Sequence, residues 1–422
     1  MKRVLIVTRL YYRRNVRVER LARYLVEFGW RPIILTPALL ENPDPQLTII
    51  ETPYRHVLDF WRRLFRFNPD EDIRKQIKNR FKVTSKKSPV DFLLTLGGGI
   101  IYYPCPDKNW KPFAIKAASE ILQREGINAV ISSSPPVISH IIAGELKAEY
   151  KIPWLADFRD LWSQNHNYIY GPVRKFFDTR LELKTLSIAD ALVTVSHPLA
   201  EKLAALHKGK SVYAITHGFD PAEVNDPPAN LTAKFTITYT GSIYATKQDP
   251  SRLLAALSDL TSDGTIDPAE VEVRFYGLEL GWLAREVEEY GLSGVVRQYR
   301  RVPRQIALER QRESQLLLLL KWEDPQERGT YTGKVFEYLA ARRPVLATGG
   351  SNDVIDELLD KTKAGICTPT VEDIKNMLKQ LYQEYKLKGE VAYQGVESEI
   401  NKYSHREMAS KFAGILGNLV RK

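Results

Sequence analysis

Short apolar runs alternate with amphipathic stretches along nearly the whole chain, and few folds are compatible with that alternation. Residues 4–8 are apolar enough for a buried strand, hydrophobic residues recur at helical spacing over 18–25, and residues 32–36 are apolar again. Comparable units follow toward the C-terminus. Strands that alternate with helices in this way pack as parallel sheets covered by helices on both faces.

The predicted strands form two series, separated by a polar, proline-bearing linker at residues 226–230. We therefore predict an α/β protein of two Rossmann-like, doubly wound domains that face a cleft. The domains cover 1–220 and 221–400, and a C-terminal helix over 401–422 packs back on the first domain. Ligands of such sheets bind outside the carboxyl ends of the strands, so functional residues are expected directly after strands. The predicted strands cover residues 4–8, 32–36, 129–132, 154–157, 191–196 and 212–216, then 235–239, 271–275, 316–320, 344–347 and 365–368.

The positive charge is concentrated at one end of the chain. Sixty-one Lys and Arg residues against 51 Asp and Glu residues give a net charge of +10 over 422 residues. Residues 1–53 carry a net charge of +4 and residues 54–90 carry +7, so the rest of the chain is close to neutral. This distribution excludes a uniformly basic nucleic-acid coat and indicates one basic face in the first domain.

The remaining composition is typical of a packed protein in a reducing compartment. Hydrophobic residues make up 44% of the chain, which excludes a mostly disordered protein. The two cysteines, Cys105 and Cys367, are far apart in sequence and predict neither a disulfide framework nor a metal cluster. The N-terminal apolar run is too short for a signal peptide, and no apolar run approaches the ~20 residues of a membrane span. We predict a cytoplasmic protein that can attach peripherally to the inner face of the plasma membrane.

The most informative segment covers residues 329–347. Thr330 or Thr332 is expected to cap a helix that begins near Gly333, so that backbone N–H groups and Lys334 form an anion site suited to a diphosphate. Glu337 lies one turn further along, where its carboxylate can accept hydrogen bonds from ribose hydroxyls. The alternative is an ordinary capped surface helix.

A second candidate segment, residues 240–250, directly follows a predicted strand. Gly241 lets the backbone approach a ligand closely, and Lys247 offers a second cation for a phosphate. Glycine and lysine are common in such loops, so this segment alone is weak evidence for a phosphate site. It becomes informative because of the order in which the two candidate segments follow each other along the chain. The glycine loop and its lysine come first, and the Thr-Gly-Lys segment and its glutamate follow a later strand.

These two segments resemble the donor-binding half of retaining glycosyltransferases of the GT-B fold, in particular the family 4-like enzymes known as glycosyl transferases group 1. Further resemblance extends in the family's order over residues 1–385. The segments that carry it in the first domain and near the linker are 131–136, 154–162, 189–196 and 217–220.

The resemblance implies a donor site in the second domain. Its donor-binding residues are Gly241, Ser242 and Lys247 at the donor diphosphate, Thr332, Gly333 and Lys334 in the helix-start loop near the phosphates, and Glu337 at the ribose. Glu337 matches the second glutamate of the family's glutamate pair, whereas Gly329 stands where the family has the first. No cofactor is implied, because the nucleotide-diphosphate sugar is a substrate. No metal is implied either, since Lys247, Lys334 and the helix N-terminus supply the positive charge.

On the acceptor side the chain departs from the family at the first strand. The family commonly has a Gly-Gly pair there, whereas this chain has bulky and basic residues that include Arg13 and Arg14. Arginine is a strong phosphate partner, so this loop fits an acceptor that carries a phosphate. The alternative is a solvated basic loop at the start of a helix.

Three charged residues follow the predicted strand 154–157 and are our candidates for catalysis. Asp157 and Asp160 could hold acceptor hydroxyls or act as a base, and Arg159 could meet a phosphate. The alternative is a salt-bridge network that fixes the loop.

The basic segment 54–90 contains an aromatic stripe. One predicted helical face carries Val57, Trp61, Leu64 and Phe65, and it is flanked by Arg62, Arg63 and Arg66. This pattern fits a helix lying in an anionic lipid surface. A core-facing helix with a solvated basic face is the alternative, and no recognised nucleic-acid motif accompanies the patch.

The predicted function is that of a metal-independent, hexosyltransferase-like glycosyltransferase. It would move a sugar from a nucleotide-sugar donor to a glycan or lipid-linked acceptor with retention, in cell-surface polysaccharide or glycolipid synthesis, and would not bind nucleic acid. Two alternatives remain: a nucleotide-sugar epimerase or hydrolase of the same fold, and a non-catalytic membrane-binding protein built on a degenerate transferase.

Overall fold

The computed structural model describes residues 1–9, 16–39, 44–57, 59, 101–168, 170–224, 230–244, 247–324, 326, 328–350 and 352–421. The chain divides into two compact units. The first unit comprises Met1–Ile215 together with Ala409–Lys422, and the second comprises Thr216–Met408. The division after residue 215 lies five residues before the predicted boundary at 220.

The first unit is a parallel seven-stranded sheet with the order β3-β2-β1-β4-β5-β6-β7. The interior strand β1 pairs with β2 and β4, so that Val4 lies between Pro32 and Ala129. The strands are β1 (Lys2–Val7), β2 (Trp30–Pro37), β3 (Ile49–Thr52), β4 (Ala129–Ser134), β5 (Trp154–Phe158), β6 (Ala191–Thr194) and β7 (Val212–Ala214). The α-helices between them are α1 (Val16–Leu25), α2 (Lys111–Glu125), α3 (Ile138–Tyr150), α4 (Pro172–Leu186) and α5 (His197–Leu206).

The core of the first unit forms around the middle of the sheet because its strands are apolar on both faces. Every residue of β4 and β5 is buried. The two largest buried side chains satisfy their indole N–H groups with neighbouring hydroxyls: Trp110 donates to Thr52 Oγ1 over 2.7 Å, and Trp154 donates to Ser132 Oγ over 2.8 Å. Burial of both strand faces therefore requires the helices to cover the sheet on both sides.

The second unit repeats this architecture with six parallel strands in the order β10-β9-β8-β11-β12-β13. The strands are β8 (Phe235–Thr240), β9 (Val271–Tyr276), β10 (Val296–Tyr299), β11 (Leu316–Leu320), β12 (Val345–Thr348) and β13 (Gly365–Thr368). The α-helices are α6 (Ser251–Ser262), α7 (Gly281–Glu289), α8 (Arg304–Arg312), α9 (Gly333–Ala341), α10 (Val354–Thr362), α11 (Val371–Lys388) and α12 (Glu397–Ile400). The last helix, α13 (His405–Arg421), begins in the second unit and belongs to the first unit from Ala409 onward.

Local sequence signals define where several of these helices begin. Asp353 and Asp356 form a capping box at the start of α10, and Thr370 and Asp373 form another at the start of α11. In both, the first side chain accepts a hydrogen bond from a first-turn N–H group, and the second accepts one from the cap residue, so that orphan donors are satisfied.

The fold class predicted from the sequence is confirmed: the chain contains two Rossmann-like sheets interleaved with helices. Two strands, β3 and β10, were not predicted. Both are edge strands, and their outward residues Glu51 and Arg297 break the apolar pattern that marks the central strands. No helix in the described part of the chain is long and apolar enough to cross a membrane.

Candidate functional site

The loop after β8 turns at Gly241, a position where the backbone conformation and a neighbouring side chain both require glycine. Gly241 has φ +111°, a backbone conformation that favours glycine, and its N–H donates to Tyr276 O over 2.7 Å. A Cβ atom at this position would lie 2.6 Å from Lys334 Cε. The absence of a side chain at Gly241 therefore makes room for Lys334.

Lys334 itself lies at the start of α9, which begins at Gly333. Its ammonium is 3.5 Å from Ser242 O and 5.1 Å from the centroid of the Tyr239 ring. Burial lowers the pKa of Lys334, and nearby Glu337 partly opposes that shift. Among the described residues, no carboxylate lies within 4.0 Å of Lys334 Nζ. A partly buried cation without an ion-pair partner is an unfavourable arrangement that a bound anion would relieve.

The start of α9 differs from the prediction in one respect. Thr332 occupies the N-cap position of a helix that begins at Gly333, as predicted, but its side chain makes no capping hydrogen bond. Its extended backbone, with φ −77° and ψ 137°, starts the helix without that bond. Val335 N–H donates to Thr332 O over 3.2 Å, and the preceding first-turn N–H groups are left for another acceptor.

Glu337 is held beside this helix start by two side chains from α8. Arg304 Nη2 lies 3.5 Å from Glu337 Oε1, and Gln311 Nε2 lies 3.4 Å from Glu337 Oε2. Arg304 also forms two hydrogen bonds to Glu223, at 2.9 and 2.7 Å, and Gln311 donates to Thr240 Oγ1 over 2.8 Å. The Glu337 carboxylate is half-exposed and oriented by these long contacts.

A cavity of about 380 Å³ opens at this end of the sheet, within the size range of small-molecule sites. Its lining includes Thr332, Gly333, Lys334 and Glu337. A second cavity of about 270 Å³ shares the side chains of Trp322 and Asp353 with the first. The predicted helix-start residues are therefore brought together around one cavity.

Lys247 lies on the same part of the surface but in a different environment. Its Nζ is 4.2 Å from the centroid of the Trp322 ring, and the Tyr244 ring lies 5.8 Å from Trp322. A cation over an indole face is stabilised by about 0.5–1 kcal/mol at an exposed site. Lys247 therefore belongs to an aromatic edge of the cavity.

Sequence reasoning missed the side chains that hold this loop. Gln248 is buried, donates through Nε2 to Leu320 O over 2.8 Å, and accepts through Oε1 from Tyr244 N–H over 3.2 Å. Gln248 thus fixes the loop to β11. Trp322 was also missed, although its position two residues after β11 is the signal that parallel sheets give for ligand sites.

In the first unit, Asp157 is fully buried at the end of β5. Its carboxylate accepts from Arg17 Nη2 over 3.0 Å and from Ser133 Oγ over 2.8 Å. Arg17, which is also buried, donates to Ile215 O over 2.9 Å. This arrangement favours the salt-bridge alternative for Asp157, with its partner supplied by α1.

The other two candidates of this loop differ from Asp157. Arg159 donates through Nε to Ser134 O over 3.2 Å and also to Pro135 O, while Asp160 is exposed. The remaining acceptor or membrane candidates lie outside the described residues; they are Arg13, Arg14, Trp61, Arg62, Arg63 and Arg66. Within the described ranges, no group of three or more His, Cys, Asp or Glu side chains is arranged to hold a metal ion.

Comparison with known proteins identifies the fold. No protein-family model matches the chain, and no curated protein matches it. Solved structures do match over essentially the full length. A glycosyltransferase from Rickettsia africae ESF-5 matches with a TM-score of 0.60 at 15% identity, covering 100% of this chain and 99% of that one.

Two further matches have ligands bound. HepE of Anabaena in complex with UDP matches with a TM-score of 0.61 at 11% identity, covering 99% of this chain and 100% of HepE. A variant of S. aureus TarM in complex with Fondaparinux, alpha-GlcNAc-glycerol and UDP matches with a TM-score of 0.60 at 10% identity over 100% of both chains. The chain therefore has the GT-B fold of two Rossmann-like domains.

Proposed function

We propose that the chain is a glycosyltransferase that takes its sugar from a nucleoside-diphosphate sugar bound by the second unit. The observation that carries this proposal is the Lys334 ammonium. It is partly buried at the start of α9, packed against Gly241, and has no carboxylate within 4.0 Å among the described residues. A diphosphate would supply the missing negative charge and accept from first-turn N–H groups of the same helix.

The other cavity residues fit the remaining parts of such a donor. Glu337 would accept hydrogen bonds from the ribose hydroxyls, since its carboxylate is half-exposed and oriented by Arg304 and Gln311. Lys247 would add positive charge near the phosphates. The rings of Trp322 and Tyr244 offer flat apolar surface for a base or sugar face. The complexes of HepE with UDP and with UDP-glucose support a donor of this chemical class.

In the proposed reaction the bond between the anomeric carbon and the phosphate oxygen breaks, and its electron pair stays on that oxygen. The acceptor hydroxyl oxygen forms the new bond to the anomeric carbon and loses its proton to a base. Lys334 and the N-terminus of α9 would stabilise the negative charge that develops on the departing diphosphate. This positive charge would let the reaction proceed without a divalent ion. Retention at the anomeric carbon, and transfer of a hexose, are part of the proposal because the sequence resembles retaining enzymes.

We place the acceptor in the first unit. Asp160 is the exposed carboxylate of the loop after β5 and would meet an acceptor hydroxyl, whereas the buried Asp157 would position that loop through Arg17. Arg13, Arg14 and Arg159 would meet a phosphate on a lipid-linked acceptor. A glycan or lipid-linked acceptor is the substrate class expected in cell-surface polysaccharide or glycolipid synthesis.

Donor binding tests the proposal directly. Thermal unfolding with UDP, GDP, ADP and dTDP should reveal one nucleotide that stabilises the protein by about 2.7 kcal/mol at 100 times its Kd. Lys334→Met should weaken that binding about 10- to 100-fold, the effect of losing a charged hydrogen bond. Lys361→Met is the matched control, because Lys361 is 61% exposed on α10. Failure of every nucleotide to bind, or equal binding by Lys334→Met, would refute the proposal.

The fate of the donor separates a transferase from the alternatives. A transferase consumes the nucleotide sugar only when an acceptor is present and forms a new glycosidic bond. Release of free sugar at an undiminished rate without acceptor would identify a hydrolase, and interconversion of the sugar would identify an epimerase. Binding without any turnover, across a panel of acceptors, would identify a non-catalytic protein.

A further inference from the structure

Helix α4 has its polarity inverted with respect to an ordinary surface helix. Its two carboxylates face inward: Asp178 is 2% exposed and Glu182 is completely buried. Its aromatic residues face outward, since Phe176 and Phe177 are each 53% exposed. A helix on the surface of a protein in water normally buries its apolar stripe and exposes its charges.

The two inward carboxylates of α4 have specific hydrogen-bond partners, and these partners fix the orientation of the helix. Asp178 accepts from Arg174 Nε over 2.8 Å and from the Tyr168 hydroxyl over 2.6 Å. Glu182 accepts from Ser163 N–H over 2.9 Å and lies 3.3 Å from His207 Nε2. Rotating the helix to hide its phenylalanines would leave buried polar partners unsatisfied, at a cost of about 1–3 kcal/mol for each group.

The outward residues form one continuous surface, which we call the outer face of α4. They recur at helical spacing over the whole length of α4, and they include two more exposed apolar residues, Val173 at 71% and Leu183 at 38%. Phe176 and Phe177 meet edge to face, with ring centroids 5.6 Å apart. The outer face of α4 consists of Val173, Phe176, Phe177, Arg180, Leu183 and Lys184.

The exposed charges on α4 are all positive. Lys175, Arg180 and Lys184 are exposed, whereas the two acids of this fully described helix are buried. The Arg180 guanidinium lies 4.6 Å above the Phe176 ring, so the cation and the aromatic surface are presented together. A partner for this surface must therefore accept aromatic side chains and carry negative charge.

We propose that the outer face of α4 docks on an anionic phospholipid bilayer. The phenylalanines would enter the boundary between headgroups and acyl chains, and Arg180 and Lys184 would bind lipid phosphates. A bilayer fits better than an acidic protein. One 15-residue helix, about 22 Å long, offers far less than the roughly 800 Å² that each partner buries in a stable protein interface. This inference does not depend on the proposed donor chemistry.

Vesicle sedimentation tests the proposal with the full-length protein. Binding is expected to phosphatidylcholine vesicles that contain phosphatidylglycerol, to be weak without the anionic lipid, and to fall as salt is raised. Arg180→Gln and Lys184→Gln should each weaken binding about fivefold, the effect of removing one basic residue near the surface. Phe176→Ser with Phe177→Ser should weaken it by about tenfold or more.

Matched variants on the second unit control for general surface effects. Leu387 is 86% exposed and Lys361 is 61% exposed, so Leu387→Ser and Lys361→Gln remove an apolar and a basic side chain elsewhere. These variants should bind vesicles as the original protein does. The proposal is wrong if the protein ignores anionic vesicles, or if the α4 variants bind as the controls do.

An environment-sensitive dye locates the contact. Phe177→Cys and Leu387→Cys provide labelling sites, and the native Cys105 is buried while Cys367 is partly buried. Anionic vesicles should shift the emission at position 177 to the blue and leave position 387 unchanged. A shift at position 177 produced by an acidic polypeptide and not by vesicles would replace the lipid with a protein partner. Loss of binding on changing Arg62, Arg63 and Arg66 to Glu, with the α4 variants unaffected, would move the contact to the basic segment.

Discussion

Gly241 and Lys334 are in direct contact across the candidate donor site: a methyl group added at Gly241 would lie 2.6 Å from Lys334 Cε and 3.3 Å from Lys334 Nζ. The two residues belong to different strand–helix units, so the register of the sheet holds the lysine over the glycine loop. Any change at Gly241 must therefore act on Lys334.

Gly241→Ala should weaken nucleoside-diphosphate binding at least tenfold, because the new methyl group displaces the ammonium and the φ of +111° is strained for alanine. Gly264→Ala is the control, since Gly264 also has a positive φ, +76°, but nothing lies within 4 Å of its added methyl. Calorimetric titration of both variants measures the effect. If the two variants lose the same affinity, strain alone is responsible and Lys334 is not displaced.

Lys334→Met should stabilise the ligand-free protein while it weakens donor binding. Burial lowers the pKa of Lys334, so the unfolded chain holds that proton more tightly than the folded one. The free energy of unfolding should therefore rise with pH between the lowered pKa and the ordinary value of 10.5. This rise should be absent in Lys334→Met. Urea unfolding at a series of pH values, without ligand, measures both slopes, and identical slopes would contradict the expectation.

Glu337→Gln should discriminate between two parts of the donor. If the carboxylate holds the ribose, the variant loses about tenfold in affinity for the nucleoside diphosphate, the effect of one charged hydrogen bond. Its affinity for inorganic pyrophosphate should not change, because pyrophosphate has no ribose. Competition binding with both ligands provides the measurement. An equal loss for both would mean that Glu337 acts on the phosphate end, through Lys334.

Asp157→Asn should destabilise the first unit by about 3–5 kcal/mol, because Arg17 would remain buried without its carboxylate. The double variant Arg17→Met, Asp157→Leu should recover most of this loss, since apolar residues of similar volume can replace a buried ion pair. Chemical unfolding measures both variants. Transfer activity then shows whether the Asp157 carboxylate acts in catalysis or only positions the loop. A stable but inactive double variant assigns it a catalytic role. Recovered activity assigns it a positioning role.

The alternation of strands and helices predicted the fold because central parallel strands are buried on both faces and read as apolar runs. The strands β3 and β10 escaped that pattern because they are not buried throughout: Glu51 and Arg297 are exposed and interrupt the apolar run. Glycine and lysine at the ends of strands likewise indicated the region that contains Gly241 and Lys334, because topology brings strand ends together.

Contacts between residues distant in sequence could not be predicted in this way. Arg17 meets Asp157 because β1 and β5 flank β4 in the sheet, which no local pattern reveals. The segment that includes Gly218 and Phe219 was noticed only for its resemblance. In the structure Phe219 N–H donates to Tyr403 O over 3.0 Å, and a Cβ at Gly218 would lie 2.5 Å from that same oxygen. The glycine is thus explained by close backbone packing.

The inverted polarity of α4 also determines how the protein should behave when it is purified away from lipid. Two copies that meet through this face would cover their phenylalanines, while Arg180 and Lys184 of one copy repel those of the other. Salt shortens the range of that repulsion from ~10 Å at 0.1 M to ~3 Å at 1 M and leaves the apolar attraction in place. Self-association should therefore increase with ionic strength, and the colloidal stability of the lipid-free protein should be greatest in dilute buffer.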